Sequence, residues 1–328
     1  MDKVRWGIIG CGDVTEVKSG PAFNKIKNSE LVAVMRRDAE KVADYAKRHN
    51  VPKWYINADE LINDRDVNAV YVATPPDTHA EYTTKALNAG KPVYVEKPMA
   101  RTYSECKEMA KAAQKNNQSL FVAYYRRSLP GFIKVKQLID DNKIGKPQTV
   151  RIQLYKSPAE NEIKNELPWR VMPEIAGGGH FYDLASHQLD YFDYLFGSIK
   201  EVKGIAKNIG NLYKAEDTVM ASFVFENGVI GTGSWCFVSS NESNCDIMEI
   251  TGDKGKITFS CFEFDPIVLE NEYGIQKYKF EKPEHVQLYL IEEVVNELLG
   301  IGKSPSTGQT GMRTNRVMEE IVKNYYKH

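Results

Sequence analysis

Val4-Arg5-Trp6-Gly7-Ile8-Ile9-Gly10-Cys11-Gly12-Asp13-Val14-Thr15 sets a short apolar run against a glycine-rich turn and a helix-like continuation. In that strand-turn-helix context a glycine motif becomes specific. Gly10 permits a tight turn, and Gly12 lets the backbone approach a pyrophosphate, with Cys11, Asp13 and Val14 completing the loop. Thr15 stands where such a loop usually carries its third glycine, a position that governs helix-to-strand packing and leaves the phosphate seat in place. A glycine-rich turn without a ligand is the other reading of the same residues.

Working outward, apolar runs at 4–9, 31–35, 69–73, 92–95 and 120–123 read as buried parallel strands, and 39–49, 78–89 and 103–116 between them have helical periodicity. Strand and helix in alternation predict an α/β doubly wound parallel sheet. After Arg127 the pattern changes. A helix is expected around 132–141, followed by strand-rich runs at 149–155, 202–208, 218–225, 229–237, 246–251 and 256–262, many alternating apolar with polar residues. That favours an α+β domain with a large, mostly antiparallel open sheet, one face covered. Helices at 286–299 and 312–326 should close the chain, separated by a turn-rich 300–311. The expected domains are 1–124 and 125–328.

A chain of 328 residues exceeds the usual size of one core, so two domains fit its length. With 43 basic against 44 acidic side chains, the net charge of −1 offers no electrostatic case for nucleic acid or an anionic membrane. Neither a signal peptide nor an 18-residue apolar span is present, and a cytoplasmic setting is expected. Cys11, Cys106, Cys236, Cys245 and Cys261 form no C-x-x-C pair and read as reduced thiols.

At the end of the second strand a ribose-binding acid is normally found, yet the run here is Val34-Met35-Arg36-Arg37-Asp38. Guanidinium groups clamp a 2'-phosphate, which predicts NADP(H) over NAD(H), with Arg36 as first contact and Arg37 on the adenine or sharing the phosphate. If Asp38 reaches the ribose instead, NAD(H) is also accepted. Thr74 and Pro75, at the carboxyl end of a later strand, should line the cofactor cleft, with Asp77 or Thr78 capping the next helix. His79 beside them reads as structural rather than catalytic, and it is expected at the cofactor site together with Glu96 and Lys97 further on.

Val93-Tyr94-Val95-Glu96-Lys97-Pro98 places a lysine at the end of a buried strand, where its ammonium is partly desolvated beside Glu96. The stretch Gly177-Gly178-Gly179-His180-Phe181-Tyr182-Asp183-Leu184-Ala185-Ser186-His187-Gln188-Leu189-Asp190 carries acid, imidazole and acid behind a glycine triplet. On an α-helix, Asp183, His187 and Asp190 would share one face. Three readings of that face are open: a catalytic stripe, a solvated surface, or a histidine satisfied by its neighbouring acid. His180, His187 and Asp183 could also hold a metal, although no metal is expected on their spacing.

Together these motifs resemble the glucose-fructose oxidoreductase and inositol 2-dehydrogenase family (Gfo/Idh/MocA), along nearly the whole chain. The residues that carry the likeness are the Gly10 to Thr15 loop, Ala73-Thr74-Pro75-Pro76-Asp77-Thr78-His79, Glu96-Lys97-Pro98, Tyr125-Arg126-Arg127, Ile144-Gly145-Lys146-Pro147, Trp169-Arg170, the stretch from Gly177 to Asp190, and Ser306-Thr307-Gly308. The resemblance implies an N-terminal Rossmann domain, a C-terminal domain whose open sheet builds the substrate pocket and a homodimer or homotetramer interface, and NAD(P)-dependent redox chemistry on sugars, cyclic polyols or related diols. Position by position, it makes Lys97, Asp183 and His187 the catalytic candidates, with His187 as general acid/base and Lys97 at the reacting oxygen, or the two in exchanged roles. Trp169-Arg170 is similar to the nicotinamide-side pair of the anhydrofructose reductase and dihydrodiol dehydrogenase branch. Tyr125, Arg126 and the polar loop 157–168 are expected around the substrate, an ordinary solvated connection being the other reading of that loop. Thr15 and Arg36 depart from the family pattern, and only the second bears on cofactor choice. A sugar- or NADP-sensing regulator and a nicotinamide-dependent glycosidase are known alternatives on this scaffold; the joint presence of Lys97, Asp183 and His187 favours the oxidoreductase.

Overall fold

Strands β1 (Val4–Ile9), β2 (Ser29–Met35), β3 (Lys53–Tyr55), β4 (Ala69–Val72), β5 (Val93–Val95) and β6 (Leu120–Val122) pair in parallel, in the order β3-β2-β1-β4-β5-β6, in the computed structural model, which describes residues 1–326. Helices cover both faces, which is why β4, β5 and β6 are buried at every position. Trp6, Phe23, Tyr71 and Tyr94 fill one apolar layer, and Ile9, Val70, Val72 and Met109 belong to the other. The strand order reverses between β1 and β4, and in open α/β sheets the ligand crevice lies outside the carboxyl ends of the strands at such a switch point.

Helix boundaries follow local chemistry. Asp38 starts the helix Ala39–Arg48 by accepting from the Lys41 N–H at 3.1 Å, and a Thr102/Glu105 capping box starts Tyr103–Lys115. Neither β3 nor the helix Ala58–Asn63 is announced by the sequence pattern; the first is only three residues long and lies partly exposed, so it lacks an apolar run.

The chain divides into two compact units, Met1–Tyr125 with Pro283–Met312, and Arg126–Lys282 with the described residues from Arg313 onward. The helix Leu288–Leu298 buries Leu290, Ile291, Val294 and Val295 in the same core as Trp6 and Phe23, so this segment is part of the first unit. The next helix also begins earlier than expected, at Gly308, where the Thr307 hydroxyl accepts from the Thr310 N–H at 3.4 Å.

The second unit is built on β7 (Pro147–Tyr155), β8 (Ile199–Lys207), β9 (Thr218–Phe225), β10 (Ile230–Cys236), β11 (Cys245–Gly252), β12 (Gly255–Phe259), β13 (Ile267–Asn271) and β14 (Gly274–Tyr278), in the order β14-β13-β12-β11-β7-β10-β9-β8. Only β7 and β10 run parallel. Val150, Ile152 and Leu154 of β7 alternate with exposed or half-exposed residues, as a sheet covered on one face requires. Phe132 and Tyr191 meet Phe259 edge-on at 5.9 and 6.0 Å, and Phe181 meets Trp235 at 5.0 Å, so the helix Pro130–Asp140 and the segment 181–196 cover that face. β13 and β14 escaped the pattern reading, the latter because it is exposed along most of its length. Among the described residues no helix is long and apolar enough to cross a membrane.

Candidate active site

In the first unit the glycine loop is tied to the end of β2: the N–H groups of Gly10 and Cys11 donate to the Met35 carbonyl at 2.9 and 3.2 Å. Gly10 has φ +93°, and a side chain there would strike the Thr74 backbone nitrogen at 2.8 Å. Gly12 is different. A Cβ added to it would meet nothing nearer than the Gly10 carbonyl oxygen at 4.0 Å, so packing within the protein does not demand a glycine there. Open space over the backbone at Gly12 is what a pyrophosphate seat needs, and the residues fit a dinucleotide. The helix Asp13–Val17 after the loop is short, which leaves the seat to the loop backbone. Thr15 is fully buried and its hydroxyl donates to the Gly12 carbonyl at 2.8 Å, holding the turn closed. Burial pushes the Cys11 thiol up to about 11, so this residue contributes through its backbone.

The two glycines make separable predictions. Gly12→Ala is expected to weaken dinucleotide binding on the order of tenfold, about 1.4 kcal/mol, with an unchanged melting temperature. Gly10→Ala should lower the melting temperature itself, since it strains a left-handed position and collides with backbone. Cofactor titration alongside thermal melts checks both.

Arg36 is half-buried, and its guanidinium donates to the Cys11 carbonyl at 3.2 Å, which holds it against the glycine loop at the end of β2. Arg37 is exposed beside it. Asp38, the acid that would serve NAD(H), caps the helix Ala39–Arg48 and pairs with Lys41 at 3.2 Å, which holds its carboxyl below the usual range.

Beyond β4, Thr74 and Pro75 are half-buried at the switch point. The expected Asp77 or Thr78 cap does not form: the Thr78 hydroxyl donates instead to Thr74 Oγ1 at 2.8 Å, and a 3-10 turn over Pro76–Thr78 leads into the helix. His79 is fully buried, its Nε2 2.7 Å from the Thr74 carbonyl oxygen and its Nδ1 3.0 Å from that of Pro98, so its ring spans the loops after β4 and β5; burial pushes its pKa below the ordinary imidazole value. Glu96 turns its carboxylate into the unit, where Tyr71 and Gln287 donate to it at 2.5 and 2.6 Å. Lys97, half-buried, follows at the end of β5, and its own N–H donates to Glu96 at 3.2 Å. Tyr125 is half-buried against the first unit's core.

In the second unit, the acid and imidazole do not sit on one continuous α-helix. Phe181–Ala185 is a π turn, followed by the α-helix Ser186–Phe196. The wider turn offsets Asp183 from strict i, i+4 alignment with His187, and π turns recur at functional sites. Asp183 lies 3.4 Å from Arg170, whose guanidinium stacks on Trp169 at 4.5 Å, so three residues expected in two separate roles form one cluster. His187 is buried, and its ring meets Phe262 edge-on at 6.0 Å. Arg126 is buried too: its Nε donates to the Cys261 carbonyl at 2.9 Å and its guanidinium lies 4.5 Å over the same Phe262 ring. Phe262 thus links two of the expected site residues, and nothing in its neighbourhood of sequence signals it.

Asp190 leaves the expected polar stripe altogether. It accepts a bidentate pair from Arg127 at 2.7 and 2.8 Å, both side chains being buried, and the solvated-face reading is excluded for it. His180 faces Glu162 at 2.5 Å. That buried carboxylate comes from a short helix, Glu160–Ile163, within the polar stretch expected to be a plain loop. The glycine triplet has packing reasons: Gly177 is left-handed at φ +85°, and a side chain on Gly179 would strike the Glu216 carbonyl at 2.5 Å. Among the described residues no group of three or more His, Cys, Asp or Glu could hold a metal ion.

The model of the oxidoreductase family with an NAD-binding Rossmann fold, GFO_IDH_MocA, matches residues 4–124, and that of the GFO/IDH/MocA C-terminal domain matches 132–258. The chain belongs to the Gfo/Idh/MocA family. It is a nicotinamide-dependent oxidoreductase. Oxidoreductase P35 of Formosa agariphila is 42% identical over 97% of this chain and 98% of its own. The 1,5-anhydro-D-fructose reductase of Ensifer adhaerens is 27% identical over 94% and 92%. A levoglucosan dehydrogenase, solved in complex with NADH and levoglucosan, superposes with a TM-score of 0.88 at 22% identity over 99% and 98% of the two chains, which shows the shared Gfo/Idh/MocA fold.

Proposed function

We propose that this Gfo/Idh/MocA protein is an NADP(H)-preferring oxidoreductase acting on a carbinol or carbonyl carbon of a sugar, cyclic polyol or related diol. The cofactor preference rests on Arg36: its guanidinium is held at 3.2 Å from the glycine-loop carbonyl, at the strand end where an NAD-type site carries an acid, while Asp38 is engaged as a helix cap. Arg36→Ala is expected to lower kcat/KM with NADPH on the order of tenfold or more and to leave kcat/KM with NADH nearly unchanged, since it removes a charge-assisted contact available only to the 2'-phosphate. An NADH-preferring wild type would overturn this reading.

The substrate class is supported by what the relatives are named for, anhydrofructose and levoglucosan among them. Nicotinamide, when bound, supplies the hydride donor or acceptor. The chain's own residues handle the oxygen and its proton. Lys97 hydrogen-bonds the reacting oxygen and stabilises negative charge developing there, His187 gives or takes the hydroxyl proton, and Asp183, held by Arg170, orients a substrate hydroxyl or the imidazole. Trp169 and Arg170 bound the nicotinamide side, and Tyr125 and Arg126 the substrate side. Incubation with NADPH or NADH and a panel of ketoses, osones and cyclic ketones, then with nitrophenyl glycosides, tests the reaction class. Hydrolysis of glycosides, or binding without turnover, would count against it.

Homo-oligomerisation through the C-terminal sheet belongs to the same reading. Ile205, Met220 and Ile230 lie exposed on its open face, Ile205 and Met220 directly opposite each other across β8 and β9.

A further inference from the structure

Glu96 is 6% exposed and its carboxylate is fully engaged inside the first unit. Tyr71 donates to its Oε1 at 2.5 Å, Gln287 donates to the same oxygen at 2.6 Å, and the Lys97 N–H donates to Oε2 at 3.2 Å. Gln287 is itself oriented, because Tyr94 donates to its Oε1 at 2.8 Å and leaves its amide nitrogen to face the carboxylate. Burial, followed by the nearby Glu96 charge, pushes the Tyr71 and Tyr94 hydroxyls far above the ordinary phenol value, so both stay protonated donors. Gln287 does not titrate and is 1% exposed. It comes from residue 287, almost two hundred positions away in sequence, on the returning segment Pro283–Met312.

We propose that Gln287 is a positioning residue for Lys97, acting through Glu96. The inference rests on the reading of Lys97 as the group that meets the reacting oxygen. Satisfied donors on both carboxylate oxygens fix Glu96 in one rotamer, and that rotamer holds the backbone N–H of the residue bearing the ammonium. Hydrogen-bonded support of this kind sets how precisely a catalytic group is held, and small misplacements are costly in turnover. The returning segment thus supplies a side-chain amide to the network, and its register sets the geometry of the loop after β5.

Gln287→Leu is expected to lower kcat on the order of tenfold or more, with cofactor affinity within about twofold of wild type. Gln287→Glu gives a sharper readout. At low pH the introduced carboxyl carries a proton and donates to Glu96 as the amide does. As pH rises that proton is lost, two carboxylates face each other, and kcat falls through an inflection absent from wild type. Tyr71, Tyr94 and His79 interact with Glu96 and Lys97 adjoins it, and all four are common to both proteins. Amide hydrogen exchange in the protein without cofactor should be faster over residues 93–100 in Gln287→Leu and unchanged over β1. Tyr94→Phe, which removes only the bond that orients Gln287, serves if the leucine variant does not fold. Wild-type kcat and wild-type exchange in the variants, or a Gln287→Glu profile that parallels wild type, would overturn the proposal. Undiminished kcat in Lys97→Met would instead overturn the role of Lys97, a result that the exchange measurement cannot mimic.

Discussion

Lys97→Met is expected to lower kcat on the order of a hundredfold or more while the dissociation constant for the dinucleotide changes little. The expectation follows from where the residue sits. Lys97 leaves a strand that is buried throughout, at the carboxyl edge of the sheet, and its flanks are held on both sides: Glu96 by Tyr71 and Gln287, Pro98 through its carbonyl beside His79. Methionine keeps the length and apolar stem of lysine and removes the ammonium, so a loss confined to kcat reports on charge and hydrogen bonding at the reacting oxygen. His187→Asn should cost a comparable factor. Because the two groups are proposed to serve one proton-and-hydride event, the double variant should lose far less than the product of the single losses. Full kcat in both single variants would remove the proposed catalytic pair; strictly multiplicative losses would separate the two residues into independent steps.

The first-unit sheet is legible from residues because buried parallel strands are written as apolar runs, and the glycine loop is legible because Gly10 answers to a positive φ that other residues adopt at a cost. β3 and β14 are not, since a three-residue strand and an exposed edge carry no period to detect. The return of Pro283–Met312 to the first unit is hidden for another reason: an amphipathic helix announces that it has an apolar face and says nothing about which core receives it. The site is legible only in part. Lys97 and His187 belong to recognisable motifs, whereas Phe262, which touches the environments of both His187 and Arg126, follows a strand with no distinguishing neighbour. The stripe from Asp183 to Asp190 shows most clearly where helical spacing stops being informative. An i, i+7 relation was compatible with shared chemistry, but the π turn shifts the first acid towards Arg170, and the last is claimed by a guanidinium 63 residues earlier in the chain.

That guanidinium sets the largest expected effect on stability. Arg127→Met should destabilise the protein by about 3–5 kcal/mol near pH 8, because it leaves a buried carboxylate without its bidentate partner. Asp193 keeps Arg313 at 2.9 Å, but Asp190 retains the Thr314 hydroxyl at 3.3 Å in place of a charge. The pH dependence has a definite sign. Burial, which outweighs the opposing pull of Arg127, already pushes Asp190 up to about 6 from its ordinary 3.8. A carboxyl raised on folding contributes stability that is present in full below the ordinary value and is lost as pH rises through the folded one. Removing Arg127 takes away the main influence that lowers it, so the folded value climbs further and the loss extends to higher pH. The deficit of Arg127→Met relative to wild type should therefore narrow at pH 5, where Asp190 is protonated in the variant, and widen towards pH 8. Denaturant melts at the two pH values measure it. A deficit independent of pH would place the cost in lost packing around Tyr194, over which the Arg127 guanidinium lies at 5.2 Å, rather than in the stranded charge.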